Sequence, residues 1–186
     1  MNEQQTPAAT EETAVAEETT VIGDAAELPL VRRTVRPEWI DYNGHMSEAF
    51  YVLVFGHATD AMMIETGLHA GYRESTGCSL YTVESHIRYL RDVAEGAHLA
   101  IRTRLLGTDA KKVRLCHELY ALGSPDAVPE PDAAPVATSE LLALHVDQQA
   151  GRTTPFPEAV RARLAGLTEP APAWAGRSIA EVPTPR

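Results

Sequence analysis

Cysteine is scarce in this chain: Cys78 and Cys116 are its only two, 38 positions apart and outside any C-x-x-C spacing. That excludes a disulfide scaffold and a thiolate metal site, and it suits a reducing, cytoplasmic setting. His57, His69, His86, His98, His117 and His145 lack metal-ligand spacing as well, so neither a metal nor a cofactor is expected. Long apolar runs are also missing. The longest, Ala49 to Phe55, is far too short to cross a bilayer, and no basic segment leads into an apolar run at the start. Neither a membrane nor a secretory leader is therefore expected. Glycines never cluster into a phosphate-cradling loop. Positive charge forms no stripe, which argues against a nucleic-acid partner.

Negative charge is plentiful but local. The net charge is -10, yet seven of the 26 acids (Glu3, Glu11, Glu12, Glu17, Glu18, Asp24, Glu27) lie in the first 28 residues, which hold no Lys or Arg. The rest of the chain is close to neutral. That first segment, 1–28, is rich in Ala, Glu and Thr and has almost nothing large and apolar to bury, so it reads as a disordered tail. Residues 29–166 make one domain, a length sufficient for a single core. Within it, residues 123–135 (GSPDAVPEPDAAP) carry four prolines and read as a long loop between strands. Residues 167–186, again rich in Pro and Ala, read as a loose C-terminal tail.

The remaining segments have clear periods. Leu30 to Val35 forms a short strand, ended by Pro37. Ser47 stands as N-cap of a helix from Glu48 to about Thr66, with Gly67 as its stop. The helix is apolar nearly all round, from Phe50 to Ile64, so it must be buried by the rest of the fold. Gly56 in its interior suggests close approach by a neighbouring backbone. After the helix the period changes to two. Tyr81, Val83, Ser85, Ile87 and Tyr89 alternate with Thr82, Glu84, His86 and Arg88. Two more alternating stretches follow at 99–105 and 113–119, with a last strand over 136–147. A short helix fits 155–164. One buried helix and an antiparallel sheet define an α+β class.

Chemistry concentrates in Ile40-Asp41-Tyr42-Asn43-Gly44-His45-Met46-Ser47. Three versatile side chains alternate just before a helix N-terminus, where unbonded N–H groups and the positive end of the macrodipole can hold an oxyanion. A carboxylate there can attack a carbonyl or activate water, and Asn43 and His45 can orient it or donate to the carbonyl oxygen. Asp, Asn and Asn-Gly are equally ordinary turn residues, so spacing alone leaves both readings open.

Asp41-x-Asn43-x-His45 leading into an apolar helix resembles the active-site segment of hotdog-fold thioesterases, which include acyl-carrier-protein and 4-hydroxybenzoyl-CoA types. The order of elements from Leu30 to Leu164 is similar to that family. The resemblance implies a hotdog fold, a long central helix wrapped by a curved antiparallel sheet. It also implies a homodimer or homotetramer with acyl-CoA between subunits and Asp41 as the catalytic carboxylate. A narrower resemblance, carried by residues 39–46 and 81–90, is to betainyl-CoA thioesterases of carnitine degradation. Trp39, Tyr42, Tyr51 or Tyr81 could then surround a quaternary ammonium, and Glu84 could add an anionic charge or position water. Arg88, with Arg91, Arg102, Arg104, Lys111, Lys112 and Arg114, is a candidate for the CoA phosphates.

Two rivals remain. Hotdog hydratases and dehydratases resemble an Asp-x-Asn-Pro-x-His pattern, but here Gly44 stands in place of the Pro and His45 comes one position early. A non-catalytic acyl-CoA-binding module would need an output device, and the acidic tail is unsuited to DNA.

Overall fold

The structure, a computed structural model, describes residues 27–182. The disordered tail expected over 1–28 lies outside these residues except for Glu27 and Leu28, and Leu28 packs against the core.

The chain forms β1 (Val31–Thr34), a 3-10 turn (Pro37–Trp39), α1 (Glu48–Glu65), α2 (Ala70–Thr76), β2 (Cys78–Tyr89), β3 (His98–Thr108), β4 (Lys112–Leu122), β5 (Ala137–Asp147), β6 (Arg152–Thr153) and α3 (Glu158–Gly166). The sheet order is β1-β3-β4-β5-β2, every neighbouring pair antiparallel, with β6 added beside β5. Its concave face wraps α1, giving the hotdog arrangement that the resemblance implies.

Helix α1 begins and ends where the sequence puts it. Ser47 occupies the N-cap without a side-chain bond, and Gly67 follows the C-cap Thr66 with φ +88. Tyr51, Val54, Phe55, Ala58 and Met62 point into the core, at the spacing of one helical face. They meet Leu99, Ile101 and Leu119 at one end and Leu105, Leu115 and Leu141 at the other. The expectation of a helix buried all round is only half met. Val52, Leu53 and Ile64 are exposed, and nothing lies within 4 Å of a Cβ built on Gly56. Within this subunit no backbone approaches Gly56; it belongs to an uncovered apolar face.

Polar links tie helix to sheet. His117, fully buried on β4, stacks on Phe55 with ring centroids 5.8 Å apart. Its ring nitrogens lie 3.0 Å from the hydroxyls of Thr59 and Thr103. Thr59 itself donates to the Phe55 carbonyl at 3.2 Å, so the network is complete with a neutral ring protonated on Nε2. Helix α2 escapes the sequence reading because its seven residues carry no apolar stripe. It is held from outside, by Tyr72 Oη 2.9 Å from His145 Nε2, and His145 Nδ1 is 2.9 Å from the Thr154 carbonyl oxygen.

The C-terminal segment is not loose where it is described. Glu169 N donates to the Leu105 carbonyl, and the Glu169 carboxylate pairs with Arg104 at 3.0 Å. Trp174 Nε1 donates to Glu118, and Gly176 N donates to Glu140. Proline and alanine gave no periodic signal, but this segment adds donors to Glu118 and Glu140, which Tyr120, Arg104 and Arg114 already meet on the outer sheet face. The proline-rich 123–135 segment is a loop, as expected, pinned by Arg32 Nη1 on the carbonyls of Pro125 and Ala127.

Candidate active site

The Asp41 loop is a small closed hairpin. Ile40 and Met46 bridge each other, Asp41 N donates to the His45 carbonyl at 2.9 Å, and Gly44 N donates to the Asp41 carbonyl at 3.0 Å. Gly44 closes the turn at φ +83, a backbone state that a side chain would strain. Ser47 N donates to the Trp39 carbonyl at 2.9 Å, which clamps the loop to the start of α1. Met46 N donates to the Val93 carbonyl at 2.8 Å, which clamps it to the segment after β2.

Within this frame Asn43 orients the carboxylate. Asp41 Oδ1 accepts from Asn43 N at 2.8 Å, and Oδ2 lies 3.4 Å from Asn43 Nδ2. His45 does not touch Asp41. Its Nε2 lies 2.9 Å from Asp92 Oδ2, both side chains being largely exposed. The first-turn amides of Glu48 and Ala49 have no carbonyl partner inside the helix, by helix geometry alone. A carboxylate held by Asn43 in a loop clamped to that helix start can attack a carbonyl or activate water while the helix start holds the oxyanion.

The remaining expected residues scatter. Trp39 is a core residue: its ring stacks on Phe50 at 5.3 Å, and the Arg36 guanidinium sits 5.9 Å from its centroid. Tyr42 is 97% exposed at the loop tip. Tyr51 is buried on α1, edge-on to Tyr89 with centroids 5.1 Å apart and planes at 80°. Tyr81 changes face. The β2–β5 register slips between Thr82 and Glu84, so Leu80 and Thr82 share the inner face with Ser85 and Ile87. Tyr81 then joins Glu84, His86 and Arg88 on the outer face, where its hydroxyl accepts from Gln148 Nε2 at 2.9 Å. Glu84 and Tyr81 thus lie across the sheet from α1 and are not brought to Asp41 within the subunit. Of the candidate phosphate ligands, Arg102 and Arg104 pair with Glu169 and Glu118, Arg114 pairs with Glu140, and Arg91 Nη2 donates to the Ala134 carbonyl.

Sequence reasoning missed Asp92, Glu48 and Tyr89 as neighbours of the loop. With His45, Met46, Tyr51, Leu90 and Arg91 they line an open cavity of about 390 Å³. Only tertiary folding brings 89–92 to the loop, through the Met46–Val93 backbone bond, so no local motif marks them. Cys116 is fully buried, and burial chiefly, then the Glu118 charge, pushes its thiol up to about 12. It has no nucleophilic role. Among the described residues no group of His, Cys, Asp and Glu is arranged to hold a metal ion, and no helix is long and apolar enough to cross a membrane.

Fold and site together define a hotdog protein with an oriented carboxylate at the start of its central helix. The chain belongs to the thioesterase-like superfamily, whose pattern it matches over residues 35–164. It is 44% identical over 150 residues to a betainyl-CoA thioesterase of Pseudomonas aeruginosa, covering 78% of this chain and 89% of that one. It is 46% identical over 148 residues to an L-carnitine dehydrogenase/betainyl-CoA thioesterase of Agrobacterium fabrum, of which it spans 28% and which covers 77% of this chain. A Staphylococcus aureus protein solved in complex with CoA superimposes with a TM-score of 0.72 at 25% identity, over 82% of this chain and 94% of that one. A Pseudomonas putida structure superimposes with a TM-score of 0.66 at 36% identity, over 83% and 96%.

Proposed function

We propose that this protein hydrolyses an acyl-CoA thioester to the free acid and CoA, with betainyl-CoA as its substrate and the cytoplasm as its setting. The observation that carries the reading is the Asp41 carboxylate, held by Asn43 through two contacts in a closed loop clamped to the N-terminus of α1. Asp41 attacks the thioester carbonyl or activates the water that does, and the first-turn amides of α1 hold the developing oxyanion. Asn43 fixes the carboxylate. The name of the Pseudomonas aeruginosa relative and its 44% identity support the acyl group, and the CoA bound to the Staphylococcus aureus fold supports the thiol.

The working unit is a homodimer. Strand β2 ends the sheet order and is bonded on one side only, to β5. Along it and on the uncovered face of α1, Val83, Tyr89, Leu90, Val52, Leu53 and Ile64 are exposed. Such an unprotected edge beside an apolar helix face favours a second copy across a two-fold axis. Antiparallel pairing of β2 with its copy sets the start of the partner's strand beside Tyr89, walling the cavity near Asp41.

Free thiol release from acetyl-, medium-chain, aromatic and betainyl-CoA tests the reading, with Asp41→Asn alongside. The wild type is expected to release CoA, and the variant to lose roughly a hundredfold or more of the rate. No cleavage of any thioester, or an Asp41→Asn protein as active as wild type, overturns it.

A further inference from the structure

The cavity beside the Asp41 loop has an unusual lining. Its floor is aromatic: Tyr51 is buried with its ring edge-on to Tyr89, centroids 5.1 Å apart. Its charged residues are Glu48, the first residue of α1, Asp92, just past β2, and Arg91, with His45 paired to Asp92. The Arg91 side chain donates at 2.8 Å to the Ala134 carbonyl, on the long loop outside the cavity. Two π systems and two carboxylates around one small space make poor company for an anionic or hydrocarbon acyl group. They suit a cation that has no N–H to donate and is held by charge and ring faces alone.

We infer that this cavity is the acyl subsite and selects a quaternary ammonium group, with Tyr51 and Tyr89 as its aromatic walls and Glu48 and Asp92 as its counter-charges. The assignment rests on the thioesterase reading for the reaction, and goes beyond it in naming what sets specificity. In a betainyl thioester the ammonium nitrogen is one methylene from the carbonyl carbon. The group that recognises it must therefore adjoin the carboxylate that attacks, and His45 lines this cavity from the same closed loop as Asp41. Trp39, Tyr81 and Glu84 do not meet that requirement within the subunit. Electrostatics agree with the layout. Burial first, then the charge of Asp92 and the neighbouring Tyr89, raises the Tyr51 phenol, and burial with the charge of Glu48 raises that of Tyr89. The charge of each carboxylate thus reaches one of the two rings. No bond is made or broken at this subsite, which acts only on binding and orientation.

The test compares betainyl-CoA with 3,3-dimethylbutanoyl-CoA, which has the same shape with carbon in place of the charged nitrogen. The wild type is expected to prefer the cation by a ratio of kcat/KM of about a hundredfold. Glu48→Gln and Asp92→Asn are each expected to lower that ratio about tenfold, mostly through KM, and Tyr89→Leu to lower it by a similar factor. A ratio near one, or one that neither carboxamide variant changes, overturns the subsite while leaving the thioesterase standing. Binding of tetramethylammonium chloride, read from the ring-proton shifts of Tyr51 and Tyr89, tests the subsite without turnover. Saturable shifts that weaken in Glu48→Gln and Asp92→Asn support it. No shift overturns it, whatever the outcome of the thiol-release assay.

Discussion

At the scale of single residues, the proposed role of Asn43 is to act on chemistry through another side chain. Its backbone and side-chain nitrogens both face the Asp41 carboxylate, so on the proposed mechanism it fixes the angle of attack. Asn43→Ala keeps the backbone bond at 2.8 Å and loses the weaker one at 3.4 Å. The expected result is a fall in kcat of about tenfold to a hundredfold with KM little changed, since a small misplacement of a reacting group costs that much. Steady-state kinetics on the best thioester checks it, and an equal loss in KM would make Asn43 a binding residue instead. The motif Asp41-x-Asn43-x-His45 was legible because its members lie within one turn. The part played by His45 was not. Sequence alone could pair it with Asp41, whereas the fold turns it to Asp92, whose position depends on where β2 ends. Trp39 illustrates the opposite error: an aromatic beside a turn of candidate catalytic residues invites a ligand role, but its ring fills the core against Phe50.

At the scale of elements, α1 and the long strands were readable because their signals are local: a cap, a stop glycine, a period of two. A bulge is not local. Tyr81 and Ser85 fit one alternating face on paper, and the slip at Val83, which only the pairing with β5 reveals, puts them on opposite faces. Nor could periodicity reveal how α1 is fastened to β4. His117 joins them, and burial pushes its imidazole down to about 3, so it stays neutral in the folded state. The unfolded chain takes up that proton below about pH 6.5. The contribution of His117 is therefore constant above that pH, and stability is lost as pH falls from there toward 3, by up to about 1.4 kcal/mol per pH unit. His117→Gln removes the titration and keeps a group able to bond Thr59 and Thr103. Denaturant melts at pH 7, 6 and 5 are expected to show a shallower pH slope for the variant, with lower stability at pH 7. Parallel slopes would mean that His117 takes up its proton in the native core as readily as in the unfolded chain.

At the scale of the whole molecule, one side of the fold is finished and the other is open. The C-terminal segment lies on the outer sheet face at β3 and β4, where its Glu169 and Trp174 pair with Arg104 and Glu118. The β2 edge and the uncovered face of α1 have no such cover. Gly56 sits there with open space around it, and the apolar side chains flanking it are exposed rather than buried. This inverts the sequence expectation in an informative way. An all-round apolar helix does call for burial, but one subunit supplies only half of it, and the proposed homodimer assigns the rest to a second copy. Val83, 53% exposed on the edge strand, and Ile64, 60% exposed on the helix, are the places to test this. Neither is in the core, so a charge at either leaves the subunit foldable. Ile64→Glu and Val83→Arg are each expected to shift the sedimenting mass from two chains to one at micromolar concentration. Circular dichroism should be retained, and thiol release lost with the shared wall of the cavity. Variants that stay paired would place the interface elsewhere, and a wild type that sediments as one chain would make the cavity beside Asp41 complete within one subunit.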